Sequence, residues 1–286
     1  MRAVAITTGK GWKNMPNIET VLGPIYADVQ GDAGQPTALL WSSLFTDHRM
    51  WHVQIAALRS AGWRTIAIDP PGQGRSPGPD RIFEMDECTE VVLQVLNALE
   101  VTKPVVLIGI SWGGMIMPRV ALRAPERVDG MVLFNTTAER PTLGTRLAAG
   151  LLALMLRFPV LDATADGLVM SANMTPETRK NRPEVAADFV RTFRSYDRQR
   201  LIKTVRAVLI DRDETLEQLS GVRAPALVVS GKEDHTLPTI HSKRIVEKLR
   251  SGRHVEVPGC AHLVPVEAPD VANKLILDFI SNQLSA

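Results

Sequence analysis

The most constraining feature of this sequence is a short apolar strand that runs without a break into a glycine–serine–glycine turn. Residues 104–110 (PVVLIGI) are apolar at nearly every position, which is typical of a central parallel strand buried on both faces. Helical periodicity resumes at Gly113 and continues to about Arg123. The chain must therefore turn from strand to helix within residues 109–113 (GISWG), and this order predicts an α/β fold.

Other β-branched runs alternate with helical patterns, which predicts a mostly parallel sheet flanked by helices. Residues 20–29 predict an N-terminal hairpin that turns around Gly23-Pro24, and with it the sheet would have eight strands. The six further strands are predicted at 37–42, 64–69, 104–110, 128–134, 226–230 and 254–257.

The middle of the sequence, residues 141–219, is helical and contains no convincing strand. We expect it to be an inserted helical cap, because loops at the carboxyl ends of strands are where such folds place their sites. Extra helices packed on the flank of the sheet are the alternative. The core would then comprise residues 15–140 and 220–286, with residues 1–14 as an N-terminal extension.

Composition excludes several functions. The 286 residues carry a net charge of +2, so no global field gathers nucleic acid or an anionic membrane. The first 14 residues lack the apolar region of a secretory signal. The most apolar run, residues 147–156, is too short to span a bilayer, and Arg157 and Pro159 interrupt it. We therefore expect a cytoplasmic protein.

The turn at Ser111 matches the pattern G-x-S-x-G in the context that forms a nucleophile elbow. So tight a turn holds the serine in a strained backbone region, where side chains two residues to either side would collide. The strain lifts the Ser111 hydroxyl clear of the sheet and aims the Trp112 backbone N–H at a developing oxyanion. A glycine-rich turn with an idle serine is the alternative, and the flanking strand and helix disfavour it.

A serine hydroxyl is a poor nucleophile at neutral pH, so Ser111 needs a base that an acid orients. Asp234 follows the strand at 226–230, and His262 follows the strand at 254–257, which puts both at the same sheet edge as Ser111. Glu233 competes with Asp234 as the acid, but the motif spacing favours Asp234. We expect no metal, because no cluster of histidine, cysteine and aspartate has the spacing of zinc ligands.

Four motifs together resemble the α/β-hydrolase superfamily over essentially the whole chain. They are residues 69–76 (DPPGQGRS), 109–113 (GISWG), 231–234 (GKED) and 258–262 (PGCAH). The resemblance implies an α/β-hydrolase fold with a triad of nucleophile, acid and base. In this sequence these are Ser111, Asp234 and His262.

The segment after the first buried strand, residues 41–51 (WSSLFTDHRMW), is similar to the Ser-Asn-Ser-Leu-Gly-Thr pattern of 3-oxoadipate enol-lactonases. By this resemblance the backbone N–H groups of Leu44 and Trp112 would form the oxyanion hole. Trp41 and Ser42 replace the Ser-Asn pair, and Phe45 replaces a glycine beside the pocket. These departures concern the substrate rather than the ester or lactone chemistry.

The expected function is hydrolysis of a small-molecule ester or lactone without a cofactor. We expect Ser43, Phe45, Leu151 and Met155 to line the substrate pocket, although the two helical residues are equally suited to a core. The same triad could instead cleave a C–C bond or carry out perhydrolysis, and a non-catalytic receptor could keep the fold. The sequence leaves a homo-oligomer open.

Overall fold

The computed structural model describes residues 17–284, and its central feature is a seven-stranded sheet. The order of the strands across the sheet is β3-β5-β4-β6-β7-β8-β9. Every neighbouring pair is parallel except β3 with β5, which is antiparallel at one edge. The strands are β1 Ile18–Thr20, β2 Gly23–Ile25, β3 Ala27–Gln30, β4 Thr37–Trp41, β5 Arg64–Ile68, β6 Val105–Ile110, β7 Val128–Phe134, β8 Ala226–Gly231 and β9 Gly252–Val257.

Eleven α-helices flank or connect these strands in the described part of the chain. They are α1 His52–Ser60, α2 Met85–Ala98, α3 Trp112–Arg123, α4 Leu143–Met155, α5 Asp162–Asn173, α6 Pro176–Asn181, α7 Pro183–Arg194, α8 Arg198–Leu209, α9 Ile240–Lys248, α10 Val264–Glu267 and α11 Pro269–Leu284. The α/β-hydrolase architecture that the motifs predicted is confirmed, with a mostly parallel sheet flanked by helices.

The prediction of eight strands in one sheet is wrong for the described residues. Strands β1 and β2 form a separate two-stranded sheet, which turns at Val21-Leu22 and not at Gly23-Pro24. Pro24 lies inside β2 opposite Glu19. A proline cannot donate to a ladder but is tolerated in so short an edge strand. The part of the predicted hairpin that joins the main sheet is β3.

Strand β6 lies at the centre of the sheet, between β4 and β7, and all six of its residues are buried. Its register with β7 pairs Ile110 with Phe134, the last residue of that strand. In a parallel sheet the carboxyl ends lie along one edge, so the chain leaves β4, β6, β7, β8 and β9 on the same side. That edge is where the sequence predicted the site.

Between β7 and β8 the described chain is built from helices and turns, with no strand. Five α-helices, α4 to α8, lie in this helical insertion, which we define as residues 141–219. Its helical character agrees with the sequence pattern, and its role as a cap stays a prediction. The predicted extension at residues 1–14 lies outside the described residues.

No single helix among residues 17–284 is long and apolar enough to cross a membrane. Helix α4 and the segment Pro159–Asn173 have the length and apolar composition of a membrane span only when they are taken together. The chain bends by 119° between them.

Candidate active site

Ser111 stands at the junction of β6 and α3 in a conformation that few residues adopt. Its φ is 51° and its ψ is −111°, and its side chain is buried. A non-glycine residue with positive φ is strained, by about 1–3 kcal/mol, and must be held by its surroundings. The predicted strained turn is therefore present.

The two glycines of the turn are required by close backbone contacts. A Cβ on Gly109 would lie 2.4 Å from the carbonyl carbon of Gly113. A Cβ on Gly113 would lie 2.2 Å from the carbonyl oxygen of Trp41 at the end of β4. The first residue of α3 is Trp112, so its backbone N–H has no carbonyl one turn earlier to bond.

Asp234 and His262 form a buried hydrogen-bonded pair. His262 Nδ1 lies 2.8 Å from Asp234 Oδ2, and both residues are about 3% exposed. The other oxygen, Oδ1, accepts from the backbone N–H groups of Thr236 and Leu237 at 2.9 and 3.0 Å. Burial by itself raises the pKa of Asp234, but the facing His262 and these hydrogen bonds lower it below its usual value. The carboxylate is therefore charged at neutral pH.

Glu233, the competing acid, lies elsewhere. Its Oε2 accepts from the backbone N–H of Cys260 at 3.1 Å, which fastens the loop that leads to His262. Only one of the two neighbouring carboxylates thus contacts the histidine ring, and it is Asp234, as the motif spacing favoured. Burial raises the pKa of the Cys260 thiol to about 12, so this nearby cysteine stays protonated and is a poor rival nucleophile.

Asn135, which the sequence analysis did not single out, connects Asp234 to the loop that carries His262. It directly follows β7, is fully buried, and has a φ of 43°. Its side-chain amide donates to Asp234 Oδ2 at 2.9 Å and to the carbonyl oxygen of Ala261 at 3.0 Å. One NH₂ group therefore fixes both the carboxylate and the residue before His262.

The same segment holds the nucleophile. Ser111 donates its backbone N–H to the carbonyl of Phe134 at 2.9 Å, and Thr136 Oγ1 donates to the carbonyl of Ser111 at 2.8 Å. Residues 134–136 thus bond Ser111 on one side, and through Asn135 they bond Asp234 and the His262 loop on the other. The structure brings all three predicted triad residues to one edge of the sheet.

The predicted oxyanion donor Leu44 lies in a tight turn after β4. Thr46 donates its backbone N–H to the carbonyl of Ser43 at 3.2 Å, and Phe45 between them has a φ of 72°. This positive φ gives a physical reason for the glycine that related patterns carry there. The Leu44 N–H has no acceptor among the described residues, so it is free to bind a ligand.

Gln73 holds this turn in place, and it too was missed from the sequence. The side chain is fully buried. Its Nε2 donates to the carbonyls of Ser43 and Thr46 at 3.2 and 2.9 Å, and its Oε1 accepts from the backbone N–H of Phe45. Three bonds from one side chain offset the strain at Phe45. The only sequence signal is the position of Gln73 inside the DPPGQGRS motif.

Glu267 ties the helical insertion to the His262 loop. Its Oε2 accepts from the backbone N–H of Ala261 at 2.7 Å, while its Oε1 accepts from the backbone N–H and Oγ1 of Thr175 at 2.8 and 3.0 Å. Nearby, Leu263 donates its backbone N–H to the carbonyl of Asn173 at 3.2 Å. The position of the histidine loop therefore depends on the insertion as well as on the core.

A cavity of about 270 Å³ opens between helix α7 and the residues that follow His262. Its mostly apolar wall includes Met174, Phe189 and Leu263. Leu263 directly follows His262 in the sequence, but Ser111, Asp234 and His262 do not themselves line the cavity.

None of the four predicted pocket residues lines this cavity. Ser43, Phe45 and Met155 are buried, and their contact with substrate stays a prediction. Leu151 is 56% exposed on α4, and its contact with substrate stays a prediction as well.

One group of three potential metal ligands occurs in the described chain: Asp47, His48 and Asp69. Asp69 Oδ1 lies 2.6 Å from His48 Nδ1, and Arg49 bonds the Asp47 carboxylate at 2.7 Å. These side chains satisfy one another, so we interpret the group as a hydrogen-bonded cluster and not as a metal site.

Comparison with known proteins assigns the chain to a family. The sequence profile of the alpha/beta hydrolase fold matches residues 39–269. The chain belongs to the α/β-hydrolase family. A protein of Variovorax paradoxus assigned as a carbamate hydrolase is 28% identical over 262 residues, which cover 90% of this chain and 96% of that protein.

Two solved structures of this family share the fold. A thermophilic esterase from Thermogutta terrifontis has a TM-score of 0.84 at 20% identity, covering 94% of this chain and 97% of that one. The enol-lactonase from Burkholderia xenovorans has a TM-score of 0.82 at 24% identity, covering 90% and 96%. The predicted superfamily is thus confirmed, and as an α/β hydrolase the chain has hydrolase activity.

The elbow geometry predicts that Gly113→Ala is destabilising. The added methyl would overlap the Trp41 carbonyl, which is backbone and cannot rotate away, so we expect a loss of roughly 1–3 kcal/mol in urea unfolding. Gly150→Ala is the control. Nothing lies within 4 Å of its Cβ position in α4, so this change should stabilise the chain by about 0.5–1 kcal/mol. Equal stabilities of the two variants would contradict the close approach.

Glu267→Gln tests the link between the insertion and the base. A glutamine retains one acceptor oxygen, so it loses its bond either to Ala261 or to Thr175. We expect kcat to fall about tenfold with little change in KM, because the His262 loop is displaced while the cavity is intact. The matched control is Glu177→Gln. Glu177 is an exposed carboxylate within the helical insertion, and its replacement should leave kcat unchanged. A normal kcat for Glu267→Gln with equal stability would refute the positioning role.

Proposed function

We propose that this α/β hydrolase cleaves a carboxylic ester or lactone through an acyl-enzyme on Ser111. The observation that carries the proposal is the segment 134–136, which bonds Ser111, Asp234 and the residue before His262 within one buried network. A hydrogen-bonded acid and base beside a serine in a strained turn is the arrangement that nucleophilic acyl transfer needs.

In the proposed reaction the Ser111 oxygen attacks the carbonyl carbon, and Nε2 of His262 accepts the hydroxyl proton. Asp234 holds Nδ1 on the other side of the ring, which fixes the tautomer with its free nitrogen towards the serine. His262 then gives the proton to the leaving alkoxide. A water molecule attacks the acyl-enzyme with the same base, and the carboxylic acid leaves. No cofactor takes part.

The tetrahedral oxyanion is assigned to the backbone N–H groups of Leu44 and Trp112. The first lies in the turn that Gln73 holds, and the second begins α3, where the helix dipole adds positive potential. Loss of one such donor typically costs about 3–4 kcal/mol in the transition state. The hydrogen bonds by which Gln73 holds the Leu44 turn therefore contribute to the rate of ester cleavage as well as to the stability of the fold.

The cavity between α7 and the residues that follow His262 supports a substrate with an apolar group of moderate size. Its wall is mostly apolar and includes Met174, Phe189 and Leu263, and the charged residues of its lining are Asp47, Arg49, Arg182, Glu184 and Asp188. We place the acyl or alcohol group of the substrate there. This assignment favours medium-chain esters over short charged ones.

A carbamate is the second candidate substrate, because the Variovorax relative carries that name. A carbamate carbonyl is open to the same attack by Ser111, and loss of the alcohol then leaves a carbamoyl group on the serine where an ester leaves an acyl group. C–C bond cleavage and perhydrolysis would use the same triad. A receptor that keeps the fold without turnover is the non-enzymatic alternative.

A fluorophosphonate probe tests the nucleophile. The folded protein should be labelled on Ser111, and Ser111→Ala should not be labelled. Asp234→Asn should slow ester hydrolysis by on the order of 10³–10⁴-fold, because the His262 ring loses its orientation. Glu233→Gln is the matched control and should retain most of the activity, because glutamine keeps the one acceptor oxygen that the Cys260 N–H needs. Absence of labelling in folded protein would favour the receptor.

A panel of substrates, assayed with the same protein preparation, then ranks the candidate reactions. p-Nitrophenyl esters of rising chain length, lactones, phenyl carbamates and a vinylogous diketone are compared by kcat/KM. We expect a maximum among medium-chain esters or lactones. A higher kcat/KM for carbamates would select the second candidate.

A further inference from the structure

The outer face of helix α4 is apolar, and the proposed reaction makes no use of it. Four leucines along it are between 50% and 73% exposed: Leu143, Leu147, Leu151 and Leu154. They are four, four and three residues apart, which aligns them as one stripe on the helix. The exposed apolar run continues in the next turn with Phe158 and Val160. We call these six residues the α4 stripe.

The inner face of α4 is apolar as well and is already occupied. Ala149 and Met155 are buried, and Leu152 and Ala153 are half-buried against the core of the insertion. A helix on a protein surface normally turns a polar face to water. Contiguous exposed apolar side chains mark an interaction site. Because one side of α4 is held by the protein, a partner can reach it only from the other.

The charge around the stripe indicates what kind of partner fits. From Arg140 to Leu161 the sequence has three arginines and no aspartate or glutamate. Arg140 pairs with Glu214 at 3.0 Å. Arg146 and Arg157 are exposed and have no carboxylate partner in the described chain, and each directly precedes a residue of the stripe. The stripe is therefore bordered by positive charge that nothing in residues 17–284 neutralises.

This charge pattern argues against a second copy as the partner. A two-fold contact would bring the stripe against itself and would place Arg146 and Arg157 of both copies in one interface. An anionic lipid surface has the opposite charge, with phosphates that arginine binds, and an apolar layer directly beneath.

We propose that the α4 stripe binds the surface of an anionic lipid bilayer. The leucines insert at the boundary between headgroups and acyl chains, and Arg146 and Arg157 contact lipid phosphates. Helix α4 lies in the plane of the interface and does not cross it, because its inner face stays packed on the insertion. The bend of 119° after α4 fits this arrangement. The proposal does not depend on which ester or carbamate is cleaved.

Vesicle flotation with the full chain tests the proposal. One set of vesicles is phosphatidylcholine alone, and the other is an equal mixture of phosphatidylcholine and phosphatidylglycerol. We expect the protein to float with the mixed vesicles, to remain below with the neutral ones, and to detach as salt is raised, since salt screens the contact between arginine and phosphate.

Paired variants separate the two components of binding. Leu147→Gln with Leu154→Gln should weaken partition to mixed vesicles about tenfold or more, as apolar insertion is lost. Arg146→Gln with Arg157→Gln should weaken it by roughly tenfold or more and remove most of the salt dependence. The matched controls change exposed residues elsewhere: Ile240→Gln with Val271→Gln, and Arg223→Gln with Arg253→Gln. Thermal unfolding confirms that each variant is folded.

Results of three kinds would overturn the proposal. The first is no flotation with mixed vesicles, and the second is equal flotation with neutral vesicles or equal losses in the control variants. The third is a dimer in analytical ultracentrifugation that Leu147→Gln with Leu154→Gln abolishes, because the stripe would then be an interface between copies.

Discussion

The side-chain amide of Asn135 is the contact on which the site depends most. Two loops that are far apart in sequence must meet within hydrogen-bond distance, and its NH₂ group bonds both, at Asp234 and at Ala261. The residue lies at the end of β7, next to the strand that delivers Ser111. Because Asn135 is fully buried, water cannot replace these bonds, so the network keeps its geometry only as a whole.

Three residues of the site have a strained backbone, and hydrogen bonds to buried partners hold each of them in place. Ser111, Phe45 and Asn135 all have positive φ, which costs free energy for a residue with a side chain. Each is held by a buried partner: Ser111 by the carbonyl of Phe134, Phe45 by the side-chain oxygen of Gln73, and Asn135 by the carboxylate of Asp234. The backbone is thus set in a catalytic shape before substrate arrives, so binding does not have to supply this ordering.

The sequence was sufficient for the parts of the site that a local pattern encodes. The two glycines around Ser111 reveal the elbow because no side chain fits there, and the strand ends place Asp234 and His262. Asn135, Gln73 and Glu267 could not be found in this way, because they are ordinary polar residues whose partners lie on other segments of the fold. The strand count failed for a similar reason: whether a short hairpin joins the main sheet is decided by packing and not by its own residues.

Whole-chain averages also concealed the distribution of charge. A net charge of +2 argued against any membrane contact, yet the charge is unevenly placed, and the acid-free stretch from Arg140 to Leu161 coincides with the most exposed apolar helix. From the sequence, residues 147–156 were judged only as an apolar run too short to span a bilayer, since a leucine-rich helix is most simply interpreted as buried. Exposure turns the same residues into a surface, and the free arginines beside them give it a preferred partner. A hydrolase docked in this way would meet apolar substrates where they concentrate, at the lipid boundary.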